Sequence, residues 1–249
     1  MASSEGIGND VAQFYNKLEE KGKDQRKDSR IYHMRNFNNW LKSMLINEYA
    51  SKVRKAKPHT SNRHDERSHH LDLSNPDESF TVLDIGCGKG GDLLKWSKAR
   101  VDHFVGVDIA ETSVDQAKDR YRDMKNRNNR GKMFSADFYA ADCTKVDLET
   151  LYGDKKMTFD IVSCQFAFHY CFESIEQADC MLKNISNRLR PGGYFVGTTT
   201  DANDIGTYIF TYYYITMNYQ NSGAEVLGWQ LSTQLLAQLN VFWCLPAQF

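Results

Sequence analysis

Three aspartates and a knot of glycines are where this chain could do chemistry. Asp84 opens the run Asp84-Ile85-Gly86-Cys87-Gly88-Lys89-Gly90-Gly91. Glycines reach φ values closed to other residues, so backbone N–H groups in such a run can approach a bound ligand closely. A helical segment beginning just after it, Asp92 to Lys98, adds unpaired donors and a dipole. Asp108 lies 22 residues beyond Gly86, where a carboxylate can accept both hydroxyls of a ribose. Asp142 ends the stretch Phe138-Tyr139-Ala140-Ala141 and could accept the amino group of an adenine. Taken singly, each aspartate could equally be a solvated loop carboxylate. Together they describe a site for an adenosine-bearing cofactor.

Such a site needs elements that bring the three acids to one edge. Apolar runs predict strands near 82–85, 103–107, 136–141, 159–163 and 194–199, alternating with helices near 92–98, 112–125 and 174–190. Val114, Ala117, Tyr121 and Met124 form one helical stripe, and Ile175, Ala178, Met181, Leu182, Ile185 and Leu189 another. Pro191-Gly192-Gly193 stops the second before the strand around Tyr194-Phe195-Val196. Alternation of this kind predicts an α/β fold, a doubly wound, mostly parallel sheet with ligands at the carboxyl ends of its strands. The glycine pattern alone admits two cofactors. Gly86, Gly88 and Gly91 fit a dinucleotide fingerprint, whereas Asp84, Gly86, Gly88 and Gly90 fit the turn that holds S-adenosylmethionine (SAM) in Rossmann-like class I methyltransferases. The third acid, Asp142, favours SAM, since a dehydrogenase has no general need of it. The fourth strand runs into the aromatic loop Gln165-Phe166-Ala167-Phe168-His169-Tyr170-Cys171-Phe172-Glu173. A flat ring could be sandwiched there, with Gln165, His169 and Glu173 reading its edge, or the rings could simply pack over the sheet.

The rest of the composition bounds the problem. At 249 residues the chain suits one domain with an arm, and its net charge of -1 makes no commitment to duplex nucleic acid. Its six cysteines show no Cys-x-x-Cys pair and no zinc spacing, which points to reduced thiols. No secretory signal opens it and no apolar run is long enough to span a membrane, so no membrane partner is expected. Residues 1–28 read as a flexible lead-in or a short helix around Val11 to Glu20. Met34, Phe37, Leu41, Met44, Leu45, Tyr49 and Val53 predict an amphipathic helix, with Arg35, Asn38, Asn39 and Lys42 on its opposite face. Residues 57–78 carry His59, His64, His69 and His70 between Pro58 and Pro76 and read as a disordered insertion, not as a metal site.

Longer words carry a resemblance. Arg35-Asn36-Phe37-Asn38-Asn39-Trp40-Leu41-Lys42-Ser43, the run from Val82 to Trp96, Ser163-Cys164-Gln165-Phe166 with His169-Tyr170 and Phe172-Glu173-Ser174, and Arg190-Pro191-Gly192-Gly193-Tyr194-Phe195 follow in that order. So ordered, the chain from about Ser29 to Ile205 resembles cellular mRNA cap guanine-N7 methyltransferases. The resemblance implies transfer of a methyl group from SAM to N7 of the guanine cap of mRNA. It implies a cofactor site in which Lys42 reaches the methionine carboxylate, Gly86 lines the turn, Asp108 holds the ribose and Asp142 the adenine, with Gln165 and Tyr170 closing it. It also implies a cap site of Asn38 and Asn39 on the arm, Lys89, Lys95 and Arg120 toward the triphosphate, and His169, Tyr170 and Glu173 near the base. No side chain is expected to act as acid or base, because N7 carries no proton to remove. Capped mRNA is the implied partner, an activating protein is left open, and the capping role implies the nucleus.

Two segments fall outside that pattern. Lys118 to Lys132 holds seven Lys or Arg and reads either as a track for RNA beyond the cap or as a solvated helix face. The resemblance stops near Ile205, and residues 206–249 form a tail whose only charged side chain is Glu225. Against the family this chain is expected to lack a C-terminal portion and an edge of the sheet, with Tyr208 to Met217 as one replacement strand. Two other functions therefore stay open. One is a non-catalytic isoform that retains at most SAM or partner binding; the other is a SAM-dependent enzyme acting on a small molecule.

Overall fold

The computed structural model describes residues 7–17, 27, 29, 31–57, 79–127, 133–200 and 240–246. The histidine-rich segment 58–78, the end of the basic stretch at 128–132 and the candidate strand 208–217 lie outside the described residues.

Among the described residues a six-stranded sheet organises the fold, with β1 (Thr81–Ile85), β2 (His103–Asp108), β3 (Ser135–Ala140), β4 (Phe159–Gln165), β5 (Leu189–Thr200) and β6 (Asn240–Pro246) in the order β3-β2-β1-β4-β5-β6. The first five run parallel and β6 is antiparallel to β5. The expected doubly wound sheet is thus present, and a tail strand covers the β5 edge, further along the chain than the segment proposed for it.

Period-two alternation sorts the strand residues into two cores. Val82, Phe104, Ile161 and Val196 face one side, and Leu83, Val105, Val162 and Phe195 the other. The first side is covered by α2 (Tyr32–Ala56) and α3 (Leu93–Lys98) through Ile46, Val53 and Trp96. The second packs on Met181 and Ile185 of α5 (Ile175–Ser186). The β1, β2 and β4 strands are buried almost throughout, as parallel strands must be when both faces are covered.

Three expectations are corrected. Helix α2 buries Leu41, Ile46, Ala50 and Val53, while Phe37 and Met44 of the predicted stripe are exposed, because only its later turns lie against the sheet. Helix α5 ends at Ser186, and Ile175 and Leu182 point outward. Leu189 already pairs with Phe159 in β5. Between them Pro191-Gly192-Gly193 forms a bulge inside the strand, the pairing moving from Phe159↔Leu189 to Ile161↔Tyr194. The proline lacks the donor a regular ladder would require.

Candidate functional site

At the carboxyl ends of β1, β2, β3 and β4 lies a cavity of about 320 Å³. Its wall includes Lys42, Gly86, Asp108, Asp142, Gln165 and Tyr170, the six residues expected to hold a cofactor.

The turn after β1 is built by left-handed glycines. Gly86 has φ +72°, and a Cβ on it would meet the Ala167 Cβ at 2.5 Å, so the chain from β4 passes directly over it. Gly88 donates its N–H to Asp108 Oδ2 at 2.8 Å, and Ala110 donates to Oδ1 at 2.9 Å. Asp108 is therefore clamped by backbone, with lone pairs on both oxygens left for a diol. Burial pushes its carboxyl above the usual range, and the two backbone N–H groups oppose the rise. Asp142 accepts both the N–H and the hydroxyl of Thr144, at 2.9 and 2.6 Å, and so is fixed in orientation. Beneath the floor, Asp84 is buried, and burial, with the carboxylate of Asp92 beside it, lifts its carboxyl to about 7.

Lys42 reaches the cavity from α2 and pairs with Asp92 at 2.8 Å. The other Asp92 oxygen pairs with Lys95 at 2.7 Å, and Lys95 donates to Asn39 Oδ1 at 3.2 Å. Burial alone would raise Asp92, but the two ammonium groups outweigh it and hold its carboxyl below the ordinary value. One buried carboxylate thus ties the arm helix to the helix that follows the glycine turn.

Of the eight residues assigned to a cap site, Tyr170 lines the cavity and the other seven do not. Asn39 and Lys95 are brought together, while Asn38 is half-buried on α2. Lys89 stands between Gly88 and Gly90, and Arg120 on α4 (Glu111–Arg127). His169 and Glu173 lie on the short 3-10 segment after β4 that also carries the wall residue Tyr170. The His169 ring is 4.2 Å from that of Tyr170, and Glu173 accepts from the wall residue Gln177 at 3.0 Å. Burial depresses the His169 imidazole, keeping it neutral near pH 7.

The sequence reading missed one wall of the site. Helix α1 (Ile7–Lys17) lies across the cavity, presenting Gly8, Val11 and Tyr15. Its Tyr15 hydroxyl is 3.5 Å from that of Tyr170, and Asn16 accepts the Thr112 N–H at 3.1 Å. The spacing of Val11 and Tyr15, four apart on one helix face, was the available signal. Ile109 and Phe166 also line the cavity; Phe166 takes φ +60°, a left-handed conformation uncommon for a bulky residue.

A domain family described as mRNA (guanine-N(7))-methyltransferase matches residues 1–227. A protein of Drosophila melanogaster named mRNA cap guanine-N(7) methyltransferase is 46% identical over 198 residues, 78% of this chain and 42% of its own length. A protein of the same name from Caenorhabditis elegans is 42% identical over 207 residues, 82% of this chain and 47% of its own. The chain spans about half the length of the curated relatives it matches. A solved S-adenosylmethionine-dependent methyltransferase from Clostridium acetobutylicum covers 79% of this chain and 58% of its own at 16% identity, with a TM-score of 0.44.

Proposed function

Because the chain belongs to the mRNA (guanine-N(7))-methyltransferase domain family, we propose that it transfers a methyl group from S-adenosylmethionine to N7 of the guanine cap of mRNA. The observation that carries this reading is a single cavity whose wall holds an ammonium from Lys42 and backbone-clamped carboxylates from Asp108 and Asp142. That donor set suits the cofactor. An ammonium answers a carboxylate, and clamped acids answer a ribose diol and an amino group. S-adenosylmethionine supplies an electrophilic methyl group on sulfur. The chain's part is to bind, orient and exclude water. N7 offers an unprotonated lone pair, so no side chain need accept a proton, and orientation alone can contribute about 7–11 kcal/mol.

Lys95, Asn39, His169 and Glu173 adjoin the cavity through Asp92, Tyr170 and Gln177, which suits them to hold the capped end. Glu173 would also stabilise the positive charge that develops on the methylated base. With capped mRNA as substrate, the nucleus is the proposed place of action. Neither a small-molecule substrate nor a purely non-catalytic role is favoured by the named relatives.

The test is transfer of labelled methyl from S-adenosylmethionine to unmethylated capped RNA by the purified chain. Wild type should transfer, and Asp108→Ala should lower transfer at least about a hundredfold by removing a charge-assisted pair of hydrogen bonds. A soluble, folded wild type without transfer would overturn the proposal.

A further inference from the structure

The cavity's floor hides a polar chain that crosses three strands. Gln165 is buried between Ser163 and Thr198, both of them fully enclosed. Its Nε2 donates to the Val196 carbonyl at 3.2 Å and to Ser163 Oγ at 3.3 Å, while its Oε1 accepts the Thr198 hydroxyl at 3.1 Å. A carbonyl can only accept, so Val196 determines which end of the amide is nitrogen, and Thr198 must then donate. The Ser163 hydroxyl bonds to the carboxylate of Asp84, which when ionised also only accepts, so the serine oxygen is left to receive from Gln165. The bonds from Thr198 on β5 through Gln165 to Ser163 on β4 therefore point one way, and Ser163 passes the direction on to Asp84 on β1 whenever that carboxyl is ionised. Both hydrogens of the amide are used within the protein. What Gln165 retains for the cavity it lines is acceptor capacity on Oε1.

We propose that Thr198 is a positioning residue of the cofactor subsite, locking the Gln165 amide so that it offers the cavity only an acceptor and selects an N–H or O–H donor on the bound molecule. The same residue pins a second wall group, because its carbonyl accepts the Phe166 N–H at 2.9 Å where that chain turns through positive φ. The inference rests on the reading that the cavity takes S-adenosylmethionine, whose ammonium, adenine amino and ribose hydroxyl groups are all donors.

Calorimetric titration of the full chain with S-adenosylhomocysteine tests it. Thr198→Val keeps the shape and removes the hydroxyl, and should weaken binding about tenfold, the scale of one buried hydrogen bond. Thr198→Ser restores the donor and should bind within about twofold of wild type. In a Gln165→Met background the Thr198→Val loss should vanish, since the threonine acts through the amide. Undiminished binding by Thr198→Val, or a loss that persists unchanged in Gln165→Met, overturns the lock. Should Thr198→Val fail to fold, a folded Thr198→Ser that binds about tenfold more weakly overturns it equally, because the hydroxyl is still there. A wild-type chain that does not bind S-adenosylhomocysteine overturns the reading of the cavity itself.

Discussion

Among single residues, Asp84 is the most tightly constrained group near the site. It is an acid without solvent, beside a second acid, and burial lifts its carboxyl to about 7. An unfolded chain releases that proton near pH 3.9. The folded state therefore binds the proton more tightly, and stability is lost as pH rises from the unfolded value to the folded one. Asp84→Asn is neutral at every pH and escapes that loss. Its melting temperature without ligand should exceed wild type by a margin that grows from pH 5 to pH 7 and levels off above; a margin flat with pH would contradict the assignment. The motif made Asp84 and Asp108 legible in the sequence, because a glycine turn announces itself locally. It did not show that Lys42 and Lys95 share Asp92, because that depends on where α2 lies against α3.

For the elements, the turn between β1 and α3 is the most exacting. Gly86 combines φ +72° with a neighbour at 2.5 Å from any Cβ placed there, whereas Gly91 has open space and no positive φ. Gly86→Ala should cost about 1–3 kcal/mol in thermal unfolding and, by pushing Ala167 and Phe166 outward, weaken S-adenosylhomocysteine binding. Gly91→Ala should stay within about 0.5 kcal/mol of wild type in stability. Equal losses from the two would show that the turn's conformation is not what matters. The first four strands were readable from apolar runs to within two residues, whereas β5 begins at Leu189, five residues before the run that announced it. Helix faces were less so: Phe37 and Met44 share a periodic stripe with Val53, yet only the part of α2 that lies on the sheet is covered. Periodicity describes a helix without saying which of its turns has a neighbour.

Across the whole molecule, α2 is fastened at its middle and at its C-terminal end. Near the cavity Lys42 meets Asp92; at the opposite edge of the sheet Lys57 pairs with Asp160 at 2.9 Å, with Arg190 on the same carboxylate and the Thr81 N–H at 2.8 Å. Asp160 is only 1% exposed, so removing it leaves two enclosed cations without their counter-charge. Asp160→Ala should lower stability by about 3 kcal/mol and the melting temperature by about 8 °C. A change below about 1 kcal/mol, the scale of a surface pair, would show that this anchor is solvated. By itself the sequence determined the alternating strands and helices, the left-handed glycine turn and the acids after successive strands, because φ limits and side-chain period are properties of a few adjacent residues. Only the tertiary structure decided that α1 forms a wall of the cavity, that one carboxylate joins two lysines, and that the Gln165 amide is held by Thr198. Apart from the local Lys95–Asp92 pair, those contacts join residues 33 to 155 positions apart, and packing distant segments together is what selects them.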